Sequence, residues 1–153
     1  MKEAFKTDNG SIIHAVFVVN INNFKKLNDK YGYEKGNDIL KNIGQLLRTS
    51  FREKDCVGRL NADEFVVLMV YAKNEDTVLS KEDRLYKAIA QFYNFTELEG
   101  IVSASIGAAL FPQDGTTTDA LIKNASKALS TARHKNKDKG GYALYGSDMT
   151  SVE

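Results

Sequence analysis

Hydrophobic residues along the chain alternate between short continuous runs, which predict strands, and stretches with helical spacing, which predict helices. The run 14–19 is continuously apolar and rich in β-branched residues, as is typical of a strand buried at the centre of a sheet. A short helix over Phe24–Tyr31 is expected next, capped by Asn22 or Asn23. A second helix over 36–51 follows, because its apolar residues recur at helical spacing and form one stripe.

The pattern then changes to that of a hairpin, with strands over 56–60 and 65–71 around the turn Asn-Ala-Asp-Glu. A third helix is expected to begin at Ser80, because Asp83 follows three residues later as in a capping box. Its apolar residues, among them Leu85 and Ile89, again recur at helical spacing.

Three further elements complete the pattern: a strand over 101–110, a helix from Thr117 or Thr118 to about His134, and a strand over 142–145. The order β-α-α-β-β-α-β-α-β predicts an α/β (α+β) domain with a mixed central sheet flanked by helices.

Composition narrows the class of protein. The 153 residues suit one domain, with 42% hydrophobic and 27% charged residues as in a soluble globular protein. A net charge of +1 gives no overall field that would attract nucleic acid or an acidic membrane, so phosphate binding needs a local cluster. The single cysteine, Cys56, is expected to be a buried strand residue and fits a reducing compartment. These features favour a cytoplasmic domain.

The start of the chain carries little pattern. Residues 1–13 are interpreted as a lead-in cut from a longer protein, and residues 14–153 as the domain itself. Neither a signal peptide nor an apolar run long enough to cross a bilayer is expected there.

Four ordered stretches resemble the GGDEF, or diguanylate cyclase, family. They are NINNFKKLNDKYGYEKGNDIL (20–40), RLNADEF (59–65), VSASIGAALFPQDGTT (102–117) and NASKALSTARHKNK (124–137). The resemblance implies a palm-like nucleotidyl cyclase fold. It also implies a family whose fully active members join two GTP molecules into cyclic di-GMP, using Mg²⁺ or Mn²⁺ ions between two domains placed face to face. Asn-Ala stands where the family has Gly-Gly, which indicates a degenerate member.

The resemblance implies a metal site with reduced charge. Asp63 and Glu64 match the family's catalytic and metal-binding hairpin residues, but Asn20 stands where the family has an aspartate. Ile21 completes the implied metal site. Because Mg²⁺ prefers anionic oxygen ligands, we expect weaker metal binding and a large loss of rate. Taken without the resemblance, two acidic turn residues are more simply solvated.

The resemblance also implies nucleotide contacts. Asn28 and Asn37 match the residues that read guanine, and the amide at 37 replaces a carboxylate, which leaves one guanine N–H poorly paired and weakens guanine preference. Lys25 matches a catalytic lysine that reaches the phosphates. Phe24, Arg133 and Lys137 complete the implied nucleotide site, although a basic helix end also complements the helix dipole without any ligand.

A second site is implied by Arg52-Glu-Lys-Asp55, which matches the family's inhibitory RxxD motif. In the family, this motif binds cyclic di-GMP through its arginine and aspartate. Arg84 is a further candidate ligand. The simpler alternative is a solvated pair of charges at a helix end.

These residues favour an impaired domain that regulates by binding a nucleotide, either cyclic di-GMP at the RxxD motif or GTP at the remnant active site. The alternatives are an active diguanylate cyclase and a dimerisation domain that binds no ligand. Expected partners are GTP or cyclic di-GMP, attached sensor or signalling domains and a second copy of the domain; neither nucleic acid nor a membrane is expected.

Overall fold

A computed structural model describes residues 13–135 and 139–146 of the chain. Within these ranges the elements follow the predicted order. They are β1 Ile13–Ile21, α1 Phe24–Tyr31, α2 Tyr33–Ser50, β2 Cys56–Asn61, β3 Glu64–Ala72, α3 Glu75–Phe92, β4 Ala104–Phe111, α4 Thr118–Lys135 and β5 Gly141–Leu144.

The sheet is mixed, as predicted. Its strand order is β2-β3-β1-β4-β5, so β1 lies at the centre. β1 is antiparallel to both neighbours, β3 and β4, whereas β5 runs parallel to β4. The central position explains why β1 is apolar on both faces: every one of its residues is buried.

Helices cover both faces of the sheet. Phe17 and Val19 on β1 pack in one core cluster with residues of α1, α2 and α3, such as Ile43. Val16 and Val18 point to the other face, where they pack in a second cluster with residues of α4. The sequence allows α4 to approach closely, because a Cβ at Gly107 would lie 2.0 Å from the carbonyl oxygen of Ala125.

Several predicted boundaries were wrong. Helix α3 begins at Glu75, not at Ser80, because Asn74 caps it: its Oδ1 accepts a hydrogen bond from the Thr77 N–H at 2.9 Å. Strand β4 begins at Ala104, since the residues before it form a turn in which the Ile101 N–H donates to the Leu98 carbonyl.

The prediction for α1 is confirmed in its bounds but not in its cap. Asn23 precedes the helix in the left-handed conformation, with φ of 54°, and its side chain makes no capping hydrogen bond. The expected burial of Cys56 is also wrong, because β2 is an edge strand and leaves this thiol exposed. None of the helices in the described ranges is long and apolar enough to cross a membrane.

Candidate functional site

Strand pairing brings the predicted metal residues together where β1 ends and β3 begins. Asn20 and Glu64 are opposite one another in the antiparallel register. The Ile21 N–H donates to the carbonyl oxygen of Asp63 at 3.0 Å, which fixes the hairpin tip against the end of β1. Residues 43 positions apart in the chain are thereby in direct contact.

A cleft of about 240 Å³ opens at this edge of the sheet. Five residues predicted from the sequence line it: Asn20, Phe24, Lys25, Asp63 and Arg133. Helix α1 supplies Phe24 and Lys25, and the last turn of α4 supplies Arg133. Two cationic side chains and one carboxylate therefore line the same cleft. Lys137 lies outside the described residues.

The hairpin turn accommodates Ala62 without backbone strain. Among the described residues, positive φ angles at non-glycine positions occur at Asn23, Tyr71 and Phe95, none of them in this turn. The register between β2 and β3 instead shifts between Arg59 and Asn61, so the turn differs from the type that needs glycine. The Arg59 guanidinium holds the turn by donating to the carbonyl oxygens of Asn61 and Ala62, at 3.2 and 2.8 Å.

Both carboxylate oxygens of Glu64 accept hydrogen bonds from amides. Asn61 Nδ2 donates to Oε1 at 2.7 Å, and Asn20 Nδ2 donates to Oε2 at 3.4 Å. The amide of Asn20 also faces the Asp63 carbonyl oxygen at 3.5 Å, so its nitrogen, rather than its oxygen, is turned toward the two acceptors. Asn20 is 6% exposed.

Asn22 lines the same cleft, but its amide is bonded to two serines of the β4 region. Its Nδ2 donates to Ser103 Oγ at 2.8 Å, and its Oδ1 accepts from Ser105 Oγ at 2.7 Å. A Cβ at Gly140 would lie 2.3 Å from Asn22 Nδ2, so the backbone closes over this amide. Asn22 therefore serves to join β1 to its neighbours.

The residues present do not fit a pair of divalent ions. Mg²⁺ needs oxygen ligands at about 2.0–2.1 Å, commonly from one or two carboxylates. Here the Glu64 oxygens already accept amide N–H groups, and Asn20 presents nitrogen to them. Across residues 13–135 and 139–146, no cluster of three or more His, Cys, Asp or Glu side chains is arranged to hold a metal ion. Asp63 is the remaining carboxylate that lines the cleft.

The two predicted base-reading residues lie where α1 meets α2. Asn28 Oδ1 is buried and has no hydrogen-bond partner within the described part of the chain. It rests against Gly36, where a Cβ would lie only 1.7 Å from this oxygen, so a side chain at position 36 would displace the Asn28 amide. Asn37, one residue later in α2, is exposed. The site thus contains one acceptor in need of a donor and one solvent-facing amide.

The predicted inhibitory pair is a tightly bonded unit. Arg52 donates to the Asp55 carboxylate from its backbone N–H at 2.9 Å and from Nε and Nη2 at 3.1 Å. Asp55 also accepts from the Val70 N–H at 3.0 Å and is 2% exposed. Arg48 Nη2 supports the loop by donating to the carbonyl oxygens of both residues. The aspartate is therefore saturated, while 46% of the Arg52 side chain remains exposed.

A cleft of about 320 Å³ adjoins this pair, and four cationic side chains line it: Arg52, Lys73, Lys81 and Arg84. Burial lowers the pKa of Lys81, and the neighbouring Arg84 lowers it further. Lys81 Nζ donates to the Ser50 carbonyl oxygen and lies 4.6 Å from the centre of the Phe51 ring. Since Asp55 is already compensated by Arg52, this cleft has a net positive character.

Sequence reasoning missed three contributors. Lys81 lies three residues before Arg84 on α3, a spacing that places both on one helix face and that could have suggested the pairing. Lys73 lines the same cleft from the residue after β3. The amide of Asn61 had no sequence signal, because its contact with Glu64 depends on the shifted register of the hairpin.

Comparison with known proteins gives a consistent result. The family model described as diguanylate cyclase, GGDEF domain, matches residues 2–139. The chain is 35% identical over 137 residues to the bifunctional diguanylate cyclase/cyclic di-GMP phosphodiesterase MucR of Pseudomonas aeruginosa, covering 90% of this chain and 20% of that protein. It is 30% identical over 122 residues to the diguanylate cyclase TpbB of the same species, covering 79% and 28%. The chain thus spans less than a third of either relative.

Solved structures confirm the predicted nucleotidyl cyclase fold. The GGDEF domain of TpbB from Pseudomonas aeruginosa superposes with a TM-score of 0.77 at 28% identity, covering 89% of this chain and 84% of that one. An EAL/GGDEF domain protein from M. capsulatus gives a TM-score of 0.76 at 29% identity, covering 94% and 92%.

Proposed function

Because this chain belongs to the diguanylate cyclase GGDEF domain family, we propose that it is a regulatory module of cyclic di-GMP signalling that binds cyclic di-GMP in the cleft beside Arg52. Turnover of GTP at the other cleft is weak or lost in this proposal. Attached signalling domains of a longer protein would read the bound nucleotide, as the greater length of the relatives suggests.

The observation that carries the proposal is the cluster of four cationic side chains around the 320 Å³ cleft. Cyclic di-GMP presents two phosphodiester anions and the acceptor edges of two guanines. Arginine offers the planar fork of donors that such groups accept. Arg52 donates from Nε and Nη2 to Asp55, and from Nη2 also to the Val70 carbonyl oxygen. Its Nη1 has no hydrogen-bond partner within the described residues, so this nitrogen is available to a ligand.

In this account, Asp55 acts by holding the Arg52 guanidinium in place. Its carboxylate already accepts four N–H donors, from the backbone and side chain of Arg52 and from Val70. The family's use of this aspartate as a direct acceptor for guanine would require it to give up one of these bonds. We therefore assign direct contact to Arg52 and Arg84, and positioning to Asp55.

GTP is the second candidate ligand, at the 240 Å³ cleft. Asn28 does not line this cleft, but it lies on the same helix as Phe24 and Lys25, and its unpartnered Oδ1 would gain a bond if a purine N–H donor reached it. Lys25 and Arg133 are assigned to its phosphates, Phe24 to the wall of the cleft, and Asp63 and Glu64 to the remnant catalytic site. Mg²⁺ or Mn²⁺ binding at Asp63, Asn20 and the backbone of Ile21 is expected to be weak, because Asn20 carries no charge.

Calorimetric titration with cyclic di-GMP, GTP and ATP, with and without Mg²⁺, tests the proposal. We expect cyclic di-GMP to bind, and the variant Arg84→Ala to bind it at least about tenfold more weakly, as the loss of a charged hydrogen bond predicts. Lys87→Ala is the matched control, since it removes one positive charge from the same helix but does not line the cleft. Absence of heat with cyclic di-GMP would overturn the proposal.

A further inference from the structure

The amide of Asn61 occupies an oxygen of Glu64 at the tip of the β2–β3 hairpin. We propose that Asn61 is a positioning residue that keeps divalent cations away from Glu64. The contact of 2.7 Å between Asn61 Nδ2 and Glu64 Oε1 is short for an N–H donor and a carboxylate, which is typical of a strong bond. The inference rests on the proposed assignment of Asp63 and Glu64 as the remnant of a metal site.

The amide and a divalent cation compete for the lone pairs of Glu64. A carboxylate oxygen has two lone pairs, and the Asn61 N–H uses one of those on Oε1. The amide also places the positive end of its dipole beside an oxygen that a cation would have to approach to about 2.0–2.1 Å. A cation that approaches Oε1 from this side displaces the Asn61 side chain, and the free energy of its bond to the carboxylate is lost.

The hairpin holds the amide of Asn61 in place beside Glu64. Asn61 is the last residue of β2 and the register partner of Glu64, immediately after the shift that begins at Arg59. Arg59 donates to the carbonyl oxygens of Asn61 and Ala62, so the backbone that carries the amide is held on both sides. The Arg59 guanidinium in turn lies 5.3 Å from the centre of the buried Phe65 ring, which anchors it to the start of β3.

Asn61 and Asn20 act on Glu64 in different ways. Asn20 replaces a charged ligand, and its own contact with Oε2 is long, at 3.4 Å. Asn61 adds a hydrogen-bond donor beside Glu64 and occupies a lone pair of its Oε1. The two effects can be separated, because Asn20→Asp restores charge without touching Asn61, whereas Asn61→Gly removes the donor and leaves the charge unchanged.

Titration of the nucleotide-free chain with Mn²⁺ alone tests the inference, with free Mn²⁺ followed by its electron paramagnetic resonance signal. Asn61→Gly is expected to bind Mn²⁺ about tenfold more tightly than the unaltered chain, as expected from removing one hydrogen bond to a charged group. Ala62→Gly is the matched control: it adds a glycine to the same turn but removes no side-chain bond to Glu64, and its Mn²⁺ affinity should not change.

The same comparison is made with Asn20→Asp present, with and without Asn61→Gly. The added carboxylate should raise the metal affinity of both proteins. Equal Mn²⁺ affinity with and without Asn61, including no binding by either protein, would overturn the inference, and so would an equal gain in Ala62→Gly. Because no nucleotide is present, this result is independent of the calorimetric test: the chain can fail to bind cyclic di-GMP and still show the Asn61 effect.

Discussion

Asp55 is the residue on which the cationic cleft depends, because its carboxylate is almost fully buried and accepts donors from two parts of the chain. Three donors belong to Arg52, three residues earlier, and the fourth is the backbone N–H of Val70, near the end of β3. The Arg52–Asp55 motif, which resembles a ligand site in the sequence, is thus also a structural joint: it bonds the α2–β2 loop to β3.

Replacing this carboxylate should therefore destabilise the fold. In Asp55→Ala, the Arg52 guanidinium keeps only its bond to the Val70 carbonyl oxygen and the Val70 N–H is left without an acceptor. We expect a loss of about 1–3 kcal/mol in the free energy of unfolding, as for a buried donor left unpaired. Urea denaturation measures it. Glu53→Ala, an exposed neighbour, should change stability by less than about 0.5 kcal/mol. Equal stability of both variants would show that Asp55 is not a structural joint.

His14 makes the stability sensitive to pH. Its ring is buried, Nδ1 accepts from the Tyr71 N–H at 2.9 Å, and burial lowers the pKa below the usual 6.5. Below pH 6.5 the unfolded chain takes up a proton that the folded chain does not. The free energy of unfolding should therefore fall as pH decreases from about 6.5 toward the folded pKa, by up to about 1.4 kcal/mol per pH unit.

Urea denaturation between pH 7 and pH 5.5 measures this effect. His14→Gln should remove this part of the pH dependence, because its amide oxygen can accept from Tyr71 and does not titrate. His134→Gln, on the exposed end of α4, should retain it. An unaltered pH profile in His14→Gln would contradict the assignment.

Among the elements, helix α3 begins at a cap that the sequence pattern did not indicate. Ser80 and Asp83 have the spacing of a capping box, but the helix begins five residues earlier, at Glu75. Asn74 accepts from both the backbone N–H and the hydroxyl of Thr77, each at 2.9 Å, and the first turn carries Glu75 and Asp76, which favour a helix N-terminus.

Removing the true cap should cost more than removing the apparent one. Asn74→Ala is expected to lower the free energy of unfolding by about 1 kcal/mol, since the Thr77 N–H loses its acceptor. Ser80→Ala should be neutral or slightly stabilising, because alanine is the better residue inside a helix. The two chemical denaturation curves test the boundary directly, and a greater loss at Ser80 would place the cap where the sequence pattern put it.

The hairpin shows what could not be read from the sequence. The chain order places Asp63 and Glu64 at a turn, and the resemblance to the family predicts that Asn20 lies beside them; the register confirms that contact. The hydrogen bond from Asn61 to Glu64 and the unstrained backbone at Ala62 both follow from a one-residue register shift. No spacing rule encodes such a shift, since it depends on how the turn packs against Arg59.

At the scale of the whole molecule, the central strand sets the arrangement of both clefts. β1 carries Asn20 at one end and His14 at the other, and its pairing with β3 brings the hairpin tip to the first and Tyr71 to the second. The cleft around Lys25 and the cleft around Arg52 thus lie on one continuous scaffold.

The order of elements and the mixed sheet were predictable from periodicity. The spacing of Lys81 and Arg84 indicates one helix face, but the meeting of Lys81 with Lys73 and Arg52 was not predictable, because it depends on the packing of α3 beside β3.

We propose that this domain binds nucleotide but has lost effective turnover, because an amide stands at the end of β1 where the family has a charged ligand. The most direct measurement is the amount of cyclic di-GMP formed from GTP by the unaltered chain with Mg²⁺ or Mn²⁺, separated by chromatography. We predict no product above that of the heat-inactivated protein, and a gain in product when Asn20→Asp and Asn37→Asp are combined. Robust formation of cyclic di-GMP by the unaltered chain would contradict the account.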